Sequence, residues 1–396
     1  MKIKTGSSVK KDTIKALEES VNKLKLSPNL LILSGSCLYD FQKIQSFLLE
    51  RYPNTQFQAV TSCLGSMSDQ GVHQNDGYGM SIFSIEDEEG SYGTGIASLE
   101  EGPYEAGINA ITKAIEEAER DGESPDAIWL MSAPGSEELI LDGIQSVVGK
   151  NVPIIGGSAA DNTIEGNWYQ CTQKDIGQNL VTLAVFYTES IITTAFHSGY
   201  DSTSNVGIVT KSNDRTIKEI DGRPAAEVYN EWSKGSISDY ISGGGNILGA
   251  SGFFPIGRQV GSIQDIPYYK LSHPETVTND GFLTLFTNIS EGDEIVCMSG
   301  SLQGIVDRAQ NVFSAAMDIE QLNTEDICGV LSTFCAGCML TIGEEVKNSN
   351  DKIQKLLENK VPYISAFTFG EQGQLPGGEN CHGNLMISVL MFTNKK

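Results

Sequence analysis

One apolar pattern occurs three times along the chain, and this repeat restricts the possible folds more than any other feature of the sequence. Each copy begins with apolar residues spaced three and four positions apart, which is typical of one face of an amphipathic helix. The helix of the first copy is marked by Ile14, Leu17, Val21 and Leu24. Equivalent patterns begin at Tyr104 in the second copy and at Leu302 in the third.

Short apolar runs after each helix predict three strands per copy. The first strands are predicted at residues 30–36, 127–132 and 328–333, the second at 57–62, 152–158 and 361–370, and the third at 80–85, 180–187 and 385–392. A second helix separates the first strand from the second, so these two strands should be parallel neighbours. The interval from first to third strand is about 50 residues in every copy, which favours duplication over coincidence.

The repeat predicts an α/β protein with mixed sheets, built from repeated helix-strand-helix-strand-strand units. Residues 191–300 do not fit the repeat and are rich in Gly, Ser and Thr. This stretch separates the first two copies from the third. We therefore predict two domains, residues 1–190 and residues 191–396, in a chain long enough to bury a core without disulfides or metals.

The charge balance argues against several classes of partner. The chain has 27 Lys and Arg against 51 Asp and Glu, a net charge of −24, which would repel nucleic acids and anionic lipid surfaces. It contains no apolar run long enough for a transmembrane helix, and its N-terminus lacks the apolar stretch of a secretion signal. We expect a cytoplasmic protein that binds neither nucleic acid nor membrane, with its eight cysteines reduced.

Small and polar residues follow the predicted second strands. Ligands of α/β proteins bind beyond the carboxyl ends of strands, so equivalent turns from related copies could line one cleft. The candidate ligand-binding residues at these turns are Gly156, Gly157, Ser158, Asp161, Gly370 and Glu371. A tight turn in which the glycines only allow close packing is an equally good interpretation of Gly156 and Gly157.

The third copy carries a Cys-x-x-Cys motif, Cys335 and Cys338, where a predicted strand gives way to a helix. Backbone N–H groups at a helix start can lower the pKa of a thiol, so a thiol-redox enzyme is one alternative function. With Cys381 and His382 the motif supplies four donors that zinc accepts, although the spacing is not that of a zinc finger. Buried, unreactive thiols are the simplest interpretation.

The chain has four histidines, of which His197 and His382 are the candidates for haem ligation in a second alternative, a gas or redox sensor. A single His at a strand edge is more often a hydrogen-bonded structural residue. There is no Walker loop, nucleophile elbow or His-Glu-x-x-His motif in the sequence, and no catalytic triad can be assembled from it. We therefore expect a protein that is not an enzyme and has no resident cofactor.

Three segments of the sequence resemble the FIST family of prokaryotic sensory proteins, which combine a FIST N and a FIST C domain. The first runs from Pro125 through Trp129 to the Gly-Gly-Ser-Ala-Ala-Asp segment at 156–161. The second is Asp-Gly-Arg-Pro-Ala at 221–225, between the two repeat blocks. The third comprises Cys335, Gly370-Glu371 and His382, with Cys338 standing where the family usually carries an arginine.

The resemblance implies an intracellular sensor of a small polar ligand, proposed for the family to be an amino acid. It implies signalling through a separate partner such as a histidine kinase, a cyclase or a chemoreceptor. Some family members are similar to haem-binding sensors of nitric oxide, which keeps the haem alternative open. Because equivalent strand-end turns should converge, we also expect Cys335, Glu371 and His382 to contribute to the ligand site together with Gly157 and Asp161.

Overall fold

The structure of the chain is a computed structural model that describes residues 1–22, 24, 27–263 and 266–396. Each of the three predicted repeats forms a six-stranded mixed sheet with helices on one face, and a separate antiparallel sheet lies within the third repeat. The predicted α/β class with mixed sheets is confirmed. The two-domain division at residue 190 stays a prediction.

The elements follow one order in every unit. The first unit contains β1 (Lys2–Ser8), α1 (Thr13–Val21), β2 (Leu30–Gly35), α2 (Phe41–Arg51), β3 (Gln56–Thr61), β4 (Ser66–Ser68), β5 (Gly71–His73) and β6 (Met80–Glu86). The second contains β7 (Ser91–Ser98), α3 (Pro103–Glu117), β8 (Ala127–Ser132), α4 (Glu137–Val148), β9 (Ile154–Ser158), β10 (Gln170–Thr172), β11 (Ile176–Gly177) and β12 (Leu180–Tyr187).

The third unit begins with β13 (Ile192–His197) and is then interrupted by an insert. The insert contains β14 (Asp201–Asn213), β15 (Thr216–Ile220), β16 (Arg223–Pro224), α5 (Ala225–Trp232), β17 (Gly245–Asn246), α6 (Leu248–Ser251), β18 (Ile256–Ile263), β19 (Ile266–Ser272), β20 (Pro274–Val277), β21 (Leu283–Leu285) and β22 (Glu294–Ser299). The unit resumes with α7 (Leu302–Ile319), β23 (Ile327–Cys335), α8 (Ala336–Ile342), α9 (Val346–Leu356), β24 (Tyr363–Thr368), β25 (Glu371–Gln374), β26 (Asn380–Gly383) and β27 (Ile387–Thr393).

The predicted strand pattern is confirmed within each sheet. The first and second strands, β2 and β3 in the first unit, are parallel, and the third strand, β6, returns antiparallel beside β2. Each unit also has a leading edge strand that the apolar pattern did not reveal, namely β1, β7 and β13. Since β13 pairs with β27, the assignment of all of residues 191–300 outside the repeat was wrong at its start.

The three units exchange hairpins in a cycle. The hairpin β4–β5 of the first unit pairs with β24 of the third, β10–β11 of the second pairs with β3 of the first, and β25–β26 of the third pairs with β9 of the second. Equivalent hydrogen bonds mark the crossings: Ala160 N donates to Thr61 O, Cys63 N to Phe367 O and Phe369 N to Ser158 O, at 3.0–3.1 Å. The exchange interlocks the units.

One core cluster lies where the inner faces of the three sheets meet. Phe392 contacts Phe83 and Phe186 there, with ring centroids 5.9 and 5.1 Å apart, so all three units contribute to it. The outer faces are covered by the helices of each unit. In the described part of the chain, no helix has the length and apolar character that crossing a membrane would require.

Candidate functional site

A cavity of about 590 Å³ lies between the second unit, the third unit and the insert. It is beyond the carboxyl ends of β8 and β23, the edge at which α/β proteins bind ligands. Much of its wall is apolar and aromatic, formed by Ile164, Trp168, Leu248, Phe253, Phe286 and Phe369. The Trp168 and Phe369 rings meet edge to face with centroids 6.3 Å apart, which closes one side between two units.

One end of the cavity carries an ion-pair cluster. The Arg215 guanidinium, in the turn between β14 and β15, lies 2.8 Å from the Glu137 carboxylate and 2.7 Å from that of Glu138, both on α4. Burial opposes ionisation of Glu137, but the charges of His382 and Arg215 outweigh it and lower the pKa of Glu137 to about 2. The cluster therefore holds the insert against the second unit with two carboxylates facing one guanidinium.

A chain of buried hydrogen bonds connects Glu137 of this cluster with Ser158, Gln372 and His382. Ser158 Oγ donates to Glu137 Oε1 at 2.8 Å, and Gln372 Nε2 lies 3.4 Å from Ser158 Oγ and 3.2 Å from His382 Nδ1. The other ring nitrogen of His382, Nε2, lies 3.3 Å from Phe286 O. Ser158 and His382 thus position cavity residues without lining the cavity themselves.

The cavity wall also contains two buried polar atoms that have no hydrogen-bond partner, His273 Nε2 and Asn384 Nδ2. His273 is 5% exposed and Asn384 is 2% exposed. Burial lowers the pKa of His273 to about 4, so its ring is neutral near pH 7. Asn384 Oδ1 accepts a hydrogen bond from His273 N at 3.2 Å, which fixes the amide so that Nδ2 remains free.

Cys335 is the one predicted ligand residue that lines the cavity. It ends β23 and precedes α8, as the sequence predicted for the Cys-x-x-Cys motif. The lowered thiol pKa expected in this motif does not occur at Cys335, because burial and the adjacent Cys338 raise the pKa of Cys335 well above its usual value. The lowered pKa belongs to Cys338: burial opposes this shift, but the Cys335 thiol, Arg308 and Tyr200 outweigh burial.

Two of the predicted glycines lie inside a sheet, and the third, Gly370, lies in the bend between β24 and β25. Gly156 and Gly157 belong to β9, between β8 and the exchanged strand β25. A Cβ at Gly156 would lie 1.8 Å from Leu130 O, and one at Gly157 would lie 2.5 Å from the Thr368 side chain. A Cβ at Gly370 would lie 2.4 Å from His382 Cε1. Close packing, the alternative interpretation, accounts for these positions.

The two predicted carboxylates are also engaged within the fold. The Asp161 carboxylate accepts hydrogen bonds from four backbone N–H groups of the loop at 163–167, at 2.5–3.1 Å, so it shapes the loop that carries Ile164. Glu371 is fully buried, and its carboxylate accepts from Thr368 Oγ1 at 2.8 Å and Met386 N at 3.0 Å. Neither residue lines the cavity.

The residues named for zinc and haem are not brought together. Among the described residues, no group of three or more His, Cys, Asp or Glu side chains is arranged to hold a metal ion, so Cys335, Cys338, Cys381 and His382 do not form a zinc site. His197 is exposed at the end of β13 with its ring edge-on to Tyr268. Both ring nitrogens of His382 are engaged in hydrogen bonds, and haem ligation by His197 or His382 stays a prediction.

Several cavity residues escaped the sequence analysis. Glu137 follows the first strand of the second copy just as Cys335 follows that of the third, so the repeat itself carried a signal for it. Arg215 and His273 come from the insert, which has no equivalent in the other units and therefore offered no signal. Asn384 follows His382 by two residues but had no pattern of its own.

Comparison with known proteins places the chain in a family. A family model described as the FIST N domain matches residues 29–223, and one described as the FIST C domain matches residues 225–374. An uncharacterized protein of Methanocaldococcus jannaschii is 31% identical over 98 residues, which covers 24% of this chain and only 18% of the relative.

A solved structure titled "Cyanuric acid hydrolase: evolutionary innovation by structural concatenation" aligns with 99% of each chain, at 8% identity and a TM-score of 0.37. A TM-score this low does not establish a common fold.

Proposed function

The chain belongs to the FIST family, whose domains are associated with small-ligand sensing in signal transduction, and on this premise we propose that it senses a small ligand bound in the described cavity. We infer that it acts as a sensor and not as an enzyme. The ligand proposed is a small molecule with an amine, a carboxylate or carbonyl oxygen, and an apolar body. An amino acid with an apolar or aromatic side chain has all three.

The observation that carries this proposal is the pair of unpartnered polar atoms in an otherwise largely apolar cavity. A buried polar group without a hydrogen bond costs about 1–3 kcal/mol, so native proteins rarely leave two of them side by side. Asn384 Nδ2 is a donor and suits a carboxylate or carbonyl oxygen of a ligand. Neutral His273 can complete the pair as donor or acceptor according to its tautomer.

The charges around the cavity favour an amine as the second polar group. Among the residues that line the cavity, Glu137 and Glu275 are acidic and Arg215 is basic. This excess of negative charge in the wall attracts a cation. The aromatic side chains of the wall suit the apolar body of the ligand.

The position of the cavity suggests how ligand binding produces a signal. Its walls come from the second unit, the third unit and the insert, and the Arg215 cluster joins two of these parts. A ligand that contacts all three changes the relative stability of their arrangements, and only such a difference can transmit a signal. We propose that the arrangement is recognised by a separate protein, such as a histidine kinase, a cyclase or a chemoreceptor.

The proposal is tested by a thermal-shift screen of the purified chain against the amino acids, their amides and the matching amines. A ligand of the native state raises the apparent stability by about 2.7 kcal/mol at a hundredfold excess over Kd. We expect apolar or aromatic amino acids to stabilise the protein more than amines that lack the carboxylate. Equal shifts with and without the carboxylate would contradict the role of Asn384.

Two substitutions then test the proposed contacts with the carboxylate and with the amine of the ligand. Asn384→Asp keeps the oxygen that bonds His273 N but removes the free donor, and Glu275→Gln removes one negative charge with little change of shape. We expect each to weaken binding at least about tenfold, which corresponds to about 1.4 kcal/mol. The matched control is Glu18→Gln, because Glu18 is an exposed residue of α1 in the first unit. This variant should bind the ligand as the wild type does.

A further inference from the structure

Arg308, on α7, is a buried cation with few partners. It is 1% exposed, and its Nη1 donates to Leu385 O at 2.7 Å, while Nε and Nη2 have no hydrogen-bond partner. Its guanidinium carbon lies 4.9 Å from the centroid of the Phe334 ring. An arginine remains charged at every ordinary pH, so its burial is stable only beside an anion.

Four acidic groups surround this guanidinium: Glu371, Tyr200, Cys335 and Cys338. Burial, and then the adjacent Cys335, raise the pKa of Glu371 well above its usual range. Burial, and then Cys338, do the same for Tyr200, whose hydroxyl lies 3.4 Å from Cys338 Sγ. The pKa of Cys338 alone is lowered, because the Cys335 thiol, Arg308 and Tyr200 together outweigh burial. Cys338 is thus the acidic group whose ionised form the arrangement around Arg308 favours.

The two sulfur atoms differ in their access to small molecules. Cys335 lines the cavity, while Cys338 is fully buried behind it. They are three residues apart across the start of α8, and the Cys335 thiol is hydrogen-bonded to the Cys338 sulfur. A reagent in the cavity thus meets Cys335 first, and next to it lies the Cys338 sulfur, whose anionic form Arg308 and Tyr200 favour.

We propose that Cys335 and Cys338 are a redox-responsive thiol pair in the wall of the cavity, which a small peroxide converts into an intramolecular disulfide while Arg308 stabilises the anionic sulfur. This modification is separate from the proposed ligand sensing and does not depend on it. The cavity admits the peroxide, and Cys335 is the sulfur that it reaches.

The reaction has two steps. Cys335 passes its proton to Cys338 as its own sulfur attacks one peroxide oxygen, the O–O bond breaks, and the departing oxygen takes that proton and leaves as water. The anionic Cys338 sulfur then attacks the resulting Cys335 sulfenic acid, an S–S bond forms, and hydroxide leaves. The two sulfurs together lose two electrons, which reduce one hydrogen peroxide to water and hydroxide.

If solvent exposure alone decided which cysteine is oxidised first, Cys37 and Cys328 would react before Cys335. Cys37 and Cys328 are half-buried and more accessible to solvent than Cys335. Burial raises the pKa of both, and the other buried thiols, Cys171 and Cys381 among them, have raised pKa values as well. Because the thiolate is the reactive form, the order in which the cysteines are oxidised shows whether solvent exposure or thiolate formation decides their reactivity.

The test is oxidation of the full chain with hydrogen peroxide at a concentration equal to total thiol. The reaction is quenched by alkylation under denaturing conditions, and peptides are mapped by mass spectrometry without reduction. We expect the peptide with Cys335 and Cys338 to lose two hydrogen atoms and escape alkylation before Cys37 or Cys328 reacts. If Cys37 or Cys328 is oxidised first, or if the pair stays fully alkylated, the proposal is overturned.

Variants test the roles of the individual groups. In Cys335→Ser the peroxide meets no thiol in the cavity wall, so Cys338 should remain open to alkylation at the peroxide concentration that oxidises the wild-type pair; oxidation of Cys338 at the wild-type rate in this variant would overturn the assignment of Cys335 as the attacking sulfur. Arg308→Lys keeps a charge and Arg308→Met removes it, and we expect at least about tenfold slower disulfide formation in the Met variant than in the Lys variant. Equal rates would remove Arg308 from the mechanism.

The matched control is Cys381→Ser, which removes a buried thiol that neither lines the cavity nor faces Arg308. Its disulfide should form at the wild-type rate. The wild-type peptide map decides the central point even if an Arg308 variant does not fold.

Discussion

Several residues predicted to contact a ligand have packing or hydrogen-bonding roles within the fold. Glycine shows this most clearly, since Gly156 and Gly157 were candidates for ligand contact but instead allow β9 to lie against β8 and β25. Asp161 shapes a loop with its carboxylate, and Ser158 supports Glu137. These residues hold the surrounding structure in place, while neighbouring residues form the wall of the cavity.

Replacing Gly156 tests this interpretation. In Gly156→Ala the new Cβ would overlap Leu130 O, a backbone atom that cannot move without displacing β8. We expect the free energy of unfolding, measured by urea denaturation, to fall by about 1–3 kcal/mol.

Gly377→Ala is the control, because a Cβ at Gly377 would have no heavy atom within 4 Å. It should change the free energy of unfolding by less than about 0.5 kcal/mol. Equal stability of the two variants would show that β9 and β8 are not packed as closely as described.

At the scale of elements, the units were predictable and their exchange of hairpins was not. The long apolar strands such as β8 and β12 and the amphipathic helix α7 leave strong periodic patterns. The exchanged strands β4 and β10 have three residues each, too few for any period to be recognised. Their partners lie in other units, so only long-range contacts decide where they pair.

The joint between the insert and α4 gives a pH-dependent prediction. Because the pKa of Glu137 is lowered from its usual 4.5 to about 2, the ionised carboxylate contributes stability that is complete above about pH 4.5 and is lost as the pH falls towards 2. At pH 7 this contribution is roughly 3 kcal/mol. In Glu137→Gln the free energy of unfolding should therefore drop by that amount at pH 7, and the difference from the wild type should shrink below pH 4.5.

Urea denaturation at a series of pH values from neutral to acidic measures this difference. Glu18→Gln serves as the control and should follow the wild type throughout, since Glu18 is exposed. A loss for Glu137→Gln that does not vary with pH would mean that shape, and not charge, holds the joint together.

At the scale of the whole molecule, three interlocked units form a frame and the insert completes a cavity at its edge. The frame could be read from the sequence because duplication repeats the same apolar pattern. The cavity could be located only in part: strand ends indicated the edge at which the cavity lies and Cys335 in its wall, whereas His273 and Arg215 depend on how a unique insert folds back. Several cavity residues therefore come from the least repetitive part of the chain.

The central claim is that the cavity between the two units and the insert binds the ligand. Gly249 lines this cavity, and a Cβ there would meet no heavy atom within 4 Å, so Gly249→Trp would place an indole in open space at the cavity. Gly377→Trp places the same side chain away from the cavity and is the control.

The most direct measurement is the thermal shift produced by the best-binding amino acid in the wild type and in these two variants. The account predicts that all three proteins unfold at similar temperatures without ligand, and that the wild type and Gly377→Trp are stabilised by the amino acid while Gly249→Trp is not. An unchanged shift in Gly249→Trp, or no shift in the wild type with any amino acid, would contradict it.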